Sequence, residues 1–126
     1  EPEEESSPKD IINQYISDKV ETDYNNTSIR DIRVNDDLGT GDGYIVLVDL
    51  SLNAKNRPNT AKDMIGMYSS DIAAALGKEF EEINQVVVFW EVPYLQESGN
   101  IAKIATERTD GGMAFTEQWY DHNIFD

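Results

Sequence analysis

The pattern of hydrophobic and polar positions divides the chain into two helices and four or five strands. Its most apolar run is the segment 82–95, which is rich in β-branched and aromatic residues and too short to span a membrane. Successive side chains of a strand point to opposite faces. One face carries Val86, Val88, Trp90, Val92 and Tyr94. The other carries Val87, Phe89 and Leu95, so we predict a central strand with two apolar faces.

Two segments have apolar residues at helical spacing. The first begins at Ser7, a candidate N-cap, followed by Pro8 at the first helical position. Its apolar stripe consists of Ile11, Ile12, Tyr15, Ile16 and Val20. The second is predicted to begin at Thr60, with Asp63 three residues later, and to weaken or end at Gly77. Its stripe consists of Met64, Ile65, Tyr68, Ile72, Ala75, Leu76 and Phe80.

The remaining strands are predicted over 28–35, 44–52 and 101–108, with a short fifth strand over 113–115. Short turns join the strands of each pair, so those pairs are expected to be antiparallel. The order α-β-β-α-β-β indicates a single α+β domain over 8–126, with two helices and a mostly antiparallel four- to five-stranded sheet. The acidic segment 1–7 is expected to be disordered, because it has little to bury.

The second helix is expected to pack on the Trp90 face of the sheet, which leaves the opposite face without an assigned cover. Either the first helix covers that face, or both helices lie together and the face stays open. We favour the open arrangement. A contiguous exposed apolar patch on a monomer marks an interface. The candidate partner-binding residues are Val87, Phe89, Glu91, Trp119 and Tyr120.

Composition narrows the classes of function. The chain has 25 acidic and 10 basic residues, a formal net charge of −15, which argues against nucleic acid as a partner. It contains no cysteine, which excludes thiol catalysis and disulfides. Apolar runs are too short for a membrane span. No cofactor motif is recognised, and a protein partner or self-association is expected instead.

Three groups of residues are candidates for chemistry. The glycine-rich loop 36–43 has aspartates that could hold a cation, but its spacing matches no calcium motif, and a flexible hairpin tip is favoured. Asp49, Glu91 and Glu107 lie in predicted strands, where pairing of Glu91 with Arg108 or Lys103 is favoured over an acid–base pair. His122, the single histidine, is expected to face solvent. We therefore assign no catalytic or metal-binding residue.

An acidic spacer ahead of a small cysteine-free α+β unit is similar in arrangement to exported accessory domains of Gram-positive-type lipoproteins. This resemblance implies a noncatalytic extracytoplasmic binding or protein-interaction module, extracellular or at the cell surface, with a lipid anchor upstream of Glu1. The alternative is a small acidic cytoplasmic inhibitor or immunity-type protein that binds a basic partner. An enzyme is disfavoured because no nucleophile–base or metal constellation is recognised.

Overall fold

The computed structural model describes residues 7–55, 57–97 and 99–125. Its elements, in chain order, are α1 (Pro8–Asp23), β1 (Thr27–Asp36), β2 (Tyr44–Leu52), α2 (Pro58–Glu79), β3 (Ile83–Glu91), β4 (Ala102–Thr109) and β5 (Gly112–Tyr120). This order confirms the single-domain α+β fold with two helices. The prediction of disorder for 1–7 concerns residues that, apart from Ser7, lie outside the described ranges.

The strands form one five-stranded sheet in the order β1-β2-β3-β4-β5. Three of the four strand pairs are antiparallel, and β2 pairs with β3 in parallel. A parallel pair needs a crossover, and α2 supplies it. In the centre of the sheet Val48, Val88 and Ile104 lie side by side on β2, β3 and β4, and all three are buried.

The ends of the helices follow the predictions only in part. Ser7 is the N-cap of α1, and its Oγ accepts the N–H of Asp10 at 3.2 Å. The predicted start of α2 at Thr60 is wrong, because the helix begins at Pro58, whose fixed φ suits the first helical position. Gly77 does not end α2, which continues to Glu79.

Gly77 instead lets α2 approach strand β5. A Cβ atom on this residue would lie 2.4 Å from Cγ of Met113. The glycine therefore serves helix–sheet packing rather than helix termination.

Both helices pack on the same face of the sheet. α1 lies against β1, α2 lies against β3, β4 and β5, and their buried side chains belong to one core. Trp90 is fully buried there, and its Nε1 donates to Oγ of Ser69 on α2 at 2.8 Å. Tyr68 stacks between Trp90 and Tyr24, which follows α1. The expected packing of α2 on the Trp90 face is confirmed.

The C-terminal end of the central strand differs from the prediction. β3 ends at Glu91, because the chain turns at Val92, whose carbonyl accepts the N–H groups of Leu95 and Gln96 at 2.9 Å each. Leu95 therefore packs against the core from a turn and does not share a strand face with Phe89. Proline at position 93, which has no N–H to donate, favours this early end.

The last strand is longer than the predicted short strand. β5 extends from Gly112 to Tyr120, beyond the predicted range 113–115 at both ends. Most of its side chains are exposed on both faces of the sheet, so its sequence shows no alternation of apolar and polar residues. The sheet consequently has five full strands.

The loop between β1 and β2 contains hydrogen bonds centred on Asp37, which is buried. The Asp37 carboxylate accepts the N–H groups of Gly39 and Thr40 at 3.1 and 3.2 Å, and the Asn84 amide donates to it at 3.1 Å. The Asn84 hydrogen bond is the main reason that the pKa of Asp37 is lowered from its ordinary value. The loop then joins β2 at Gly43, which lies against the chain segment before β3.

We expect Gly43→Ala to lower the free energy of unfolding by about 1–2 kcal/mol. Gly43 has a φ of 86°, and an added Cβ would lie 2.6 Å from the carbonyl oxygen of Glu82. Gly41→Ala is the matched control, because Gly41 has a φ of 80° but no atom within 4 Å of the added Cβ. Urea unfolding should show a larger loss for Gly43→Ala; equal losses would mean that the contact with Glu82 costs nothing.

Candidate functional site

The face of the sheet opposite the two helices is the candidate site, and we call it the open face. The strand register assigns residues from all five strands to this face. They include Asp31, Arg33, Ile45, Leu47, Asp49, Gln85, Val87, Phe89, Glu91, Lys103, Ala105, Glu107, Glu117 and Trp119. Val87 and Phe89 are only partly buried, whereas Val86, Val88 and Trp90, which point to the helices, are fully or almost fully buried.

The centre of the open face is apolar. Leu47, Val87 and Ala105 lie in one row across β2, β3 and β4. Phe89 lies in the neighbouring row, between Asp49 on β2 and Lys103 on β4. Lys103 in turn pairs with Trp119 on β5, whose side chain is 43% exposed. We call Leu47, Val87, Phe89 and Ala105 the apolar strip. Charged residues lie on its flanks.

Ion pairs surround this strip. Arg33 lies 3.2 Å from Asp49 and 3.3 Å from Asp31 on one side, and Lys103 lies 3.0 Å from Glu117 on the other. Each distance is measured from a side-chain nitrogen to a carboxylate oxygen. The arrangement of an apolar centre inside a polar rim is the one found in protein–protein interfaces.

Glu91 has a different partner from the one expected. Its Oε1 lies 3.5 Å from Nη1 of Arg30, not near Arg108 or Lys103. Arg30 comes from the edge strand β1 and also donates from Nε to the Leu50 carbonyl at 3.3 Å. The register of β1 against β2 shifts between Ile29 and Asp31, so Arg30 is an extra residue that is free to reach across β2.

The structure brings together four of the five candidate partner-binding residues. Val87, Phe89 and Glu91 follow one another on the open face of β3, and Trp119 lies on the same face of β5. Tyr120 lies on the helix face. Its ring packs edge-to-face on Phe125, with centroids 5.6 Å apart, and Nζ of Lys62 lies 4.8 Å from its centroid. Burial, the larger cause, and the charge of Asp63 raise the pKa of Tyr120.

Three residues at the candidate site were not among those predicted from the sequence. Leu47 and Ala105 complete the apolar centre, and the alternation within 44–52 and 101–108 was a signal that could have identified both. Arg30 had no such signal, because its position depends on a register shift.

The other candidate residues are dispersed, and each has its own contacts. Asp49 pairs with Arg33, Glu91 with Arg30, and the Glu107 carboxylate accepts the Gln85 amide at 3.1 Å. His122 is exposed in the turn that follows β5. Within 7–55, 57–97 and 99–125, no group of three or more acidic or histidine side chains is arranged to hold a metal ion.

The fold and its open face define a two-layer α+β domain with both helices on one side of the sheet. Of the helices in the described ranges, neither combines the length and apolar character that crossing a membrane requires. Comparison with protein-family models, with curated proteins and with solved structures finds no match to this chain.

Proposed function

We propose that this protein is a noncatalytic protein-interaction module that binds its partner through the open face. The observation that carries the proposal is the placement of both helices on one side of the sheet, which leaves Val87 and Phe89 partly exposed. Burial of such side chains contributes about 25 cal/mol for each Å² of apolar surface removed from water. A partner that covers the strip would gain this free energy.

The charged rim supports specific rather than indiscriminate docking. Arg33, Glu91 and Lys103 each sit in an ion pair beside the strip. A partner must match these charges or displace them, and like charges placed together would oppose docking. The rim thus selects among partners, while the apolar centre supplies most of the affinity.

The noncatalytic part of the proposal rests on the contacts of the carboxylates. General acid–base chemistry in glycoside hydrolysis needs two carboxylates that face one cleft. Here Asp49 and Glu91 each face a different arginine. This pairing supports a structural role for both of them.

An extracytoplasmic location, as the soluble domain of a bacterial lipoprotein, remains part of the proposal and is supported by composition alone. The alternative is a small acidic inhibitor that binds a basic protein, and the net charge of −15 favours it. The two differ in salt dependence. Binding by general charge attraction should weaken steeply as salt rises, whereas binding by the apolar strip should weaken little.

Phe89→Lys tests the open face directly. We expect this variant to keep its fold and to lose about 2 kcal/mol or more of binding free energy, because a charge would be placed at the centre of the interface. Ser70→Lys is the matched control, since Ser70 is exposed on α2 and the change in charge is the same. Chemical crosslinking with wild type and both variants identifies the partner, and titration calorimetry with the purified partner measures the loss.

Ultracentrifugation of wild type, Phe89→Lys and Ser70→Lys tests whether the partner is a second copy of the chain. A wild-type oligomer that Phe89→Lys dissociates and Ser70→Lys leaves intact would support the open face. If wild type is a monomer, no partner distinguishes the variants, and Phe89→Lys fails to fold, then Phe89 belongs to the core and the proposed surface is wrong.

A further inference from the structure

Strand β5 is an uncovered edge of the sheet. It pairs with β4 on one side, and within the described residues no strand pairs with its other side. The strand is nine residues long, and six consecutive residues from Ala114 to Trp119 are exposed. Phe115 is 47% exposed and Trp119 is 43% exposed. An edge of this kind is a template for pairing with another chain.

The opposite edge of the sheet, β1, is different. It carries Arg30, Asp31 and Arg33 within four residues. Both edge strands contain one extra residue at a register shift, Arg30 in β1 and Thr116 in β5. Charged side chains are one of the usual means by which proteins block an edge strand. The only charged residue of β5 is Glu117. The two edges thus differ in the number of charged side chains, and β5 is the one less protected against pairing.

The hydrogen-bonding groups of β5 that face outward can be identified from the register. The N–H of Asp121 donates to the carbonyl of Ile101 at 2.8 Å, so it points toward β4. N–H directions alternate along a regular antiparallel strand, and β5 is regular from Glu117 to Tyr120, beyond the register shift at Thr116. With Trp119 opposite Lys103, the N–H groups of Gln118 and Tyr120 therefore point away from β4, toward the uncovered side.

We propose that β5 binds an extended, basic segment of a partner protein, which adds to the sheet as a sixth strand. Backbone groups of the segment bond to the outward groups at Gln118 and Tyr120, as in other cases of strand addition. Its apolar side chains lie beside Phe115 and Trp119 on the two faces. This inference rests on the proposed role in protein interaction, and it names the chemical class of the partner.

The negative net charge of the protein favours a basic segment as the partner over a second copy of the chain. Each copy carries a net charge of −15, so two copies repel at the distances where association begins. Cations near β5 are already engaged. Lys103 pairs with Glu117, Arg108 bonds to backbone carbonyls, and Lys62 lies over the Tyr120 ring. A segment with lysine or arginine is attracted by the same field that repels an acidic one.

The test uses the isotopically labelled protein and a capped peptide of alternating valine and lysine, as long as β5. Addition of this peptide should cause saturable changes in the NMR signals of β5. The amides of Gln118 and Tyr120 should become protected from hydrogen exchange. A peptide in which glutamate replaces lysine should cause no change.

Three variants distinguish pairing along β5 from general charge attraction to the acidic surface. Gln118→Pro removes one outward N–H and should weaken binding of the lysine peptide by about tenfold. Gln118→Lys should also weaken binding and Gln118→Glu should not. These two keep the exposed position polar, so they test the proposal even if the proline variant fails to fold. Phe89→Lys should bind the peptide within a few fold of wild type, so a failure of the open face is distinguished from a failure of this edge.

Four results would overturn the proposal. They are the absence of saturable changes, changes spread over the acidic surface rather than along β5, equal binding by the Gln118→Lys and Gln118→Glu variants, and concentration-dependent protection of β5 without peptide together with a dimer in ultracentrifugation. The last result would assign the edge to a second copy of the chain.

Discussion

Replacement of Trp90 by alanine should lower the free energy of unfolding by about 3–5 kcal/mol, which is the usual cost of deleting a large aromatic side chain from a core. Trp90 is fully buried and stacks on Tyr68, so the cavity would open in the middle of the core. The loss is a large part of the roughly 5–15 kcal/mol that typically stabilises a domain.

A second contribution comes from the indole N–H. It donates to Oγ of Ser69, which is fully buried, and alanine would leave that hydroxyl without its donor. Trp90→Phe is the control: it keeps most of the side-chain volume and removes the donor together with part of the ring, so it should cost less than Trp90→Ala. Urea unfolding followed by circular dichroism measures both. A loss below about 1 kcal/mol for Trp90→Ala would contradict the burial of this residue.

Replacement of Arg108 by alanine should lower the free energy of unfolding by about 2–4 kcal/mol, because hydrogen bonds from a charged donor are stronger than neutral ones. Its Nη2 donates to the carbonyls of Gly77 and Phe80, and its Nε donates to the carbonyl of Ile83, each at 2.9 Å. Gly77 and Phe80 lie at the C-terminal end of α2, where a cation is favoured by the helix dipole.

Two variants identify which property of Arg108 matters. Arg108→Met keeps an unbranched apolar stem and removes every donor, so it should cost nearly as much as alanine. Arg108→Lys keeps the charge but has no planar fork, and it should recover only part of the loss. Full recovery by lysine would show that charge alone accounts for the effect, and full recovery by methionine would show that packing does.

Most of the fold could be predicted because its elements have one buried side. The apolar stripe of α1 and the two-residue period of 44–52 identify a helix and a strand directly. β5 could not be delimited in this way, since Thr116, Glu117 and Gln118 are exposed in succession at the edge of the sheet. An edge strand that buries little carries little periodicity.

The residues of the candidate site could be predicted from the sequence, but the contacts between distant elements that leave the site open could not. The period of β3 places Val87 and Phe89 on one face from sequence alone. Whether that face stays open depends on the side that α1 takes, and the contact of Tyr24 with Tyr68 on α2 fixes that side. The partner of Glu91 depends on a register shift, which no local pattern reports.

The order of the strands has a consequence for how the molecule is assembled. Each strand lies beside the one that precedes it in the chain, so no strand must insert between two others. Vectorial folding is therefore compatible with this topology: as the chain leaves the ribosome, each new strand meets a free edge that already exists. The β2–β3 pairing differs, because the 22 residues of α2 separate the two strands in the chain. Contacts between residues far apart in sequence form slowly, so this pairing should be the slow step. Within the described residues, β5 is the last strand to add to the sheet in this way.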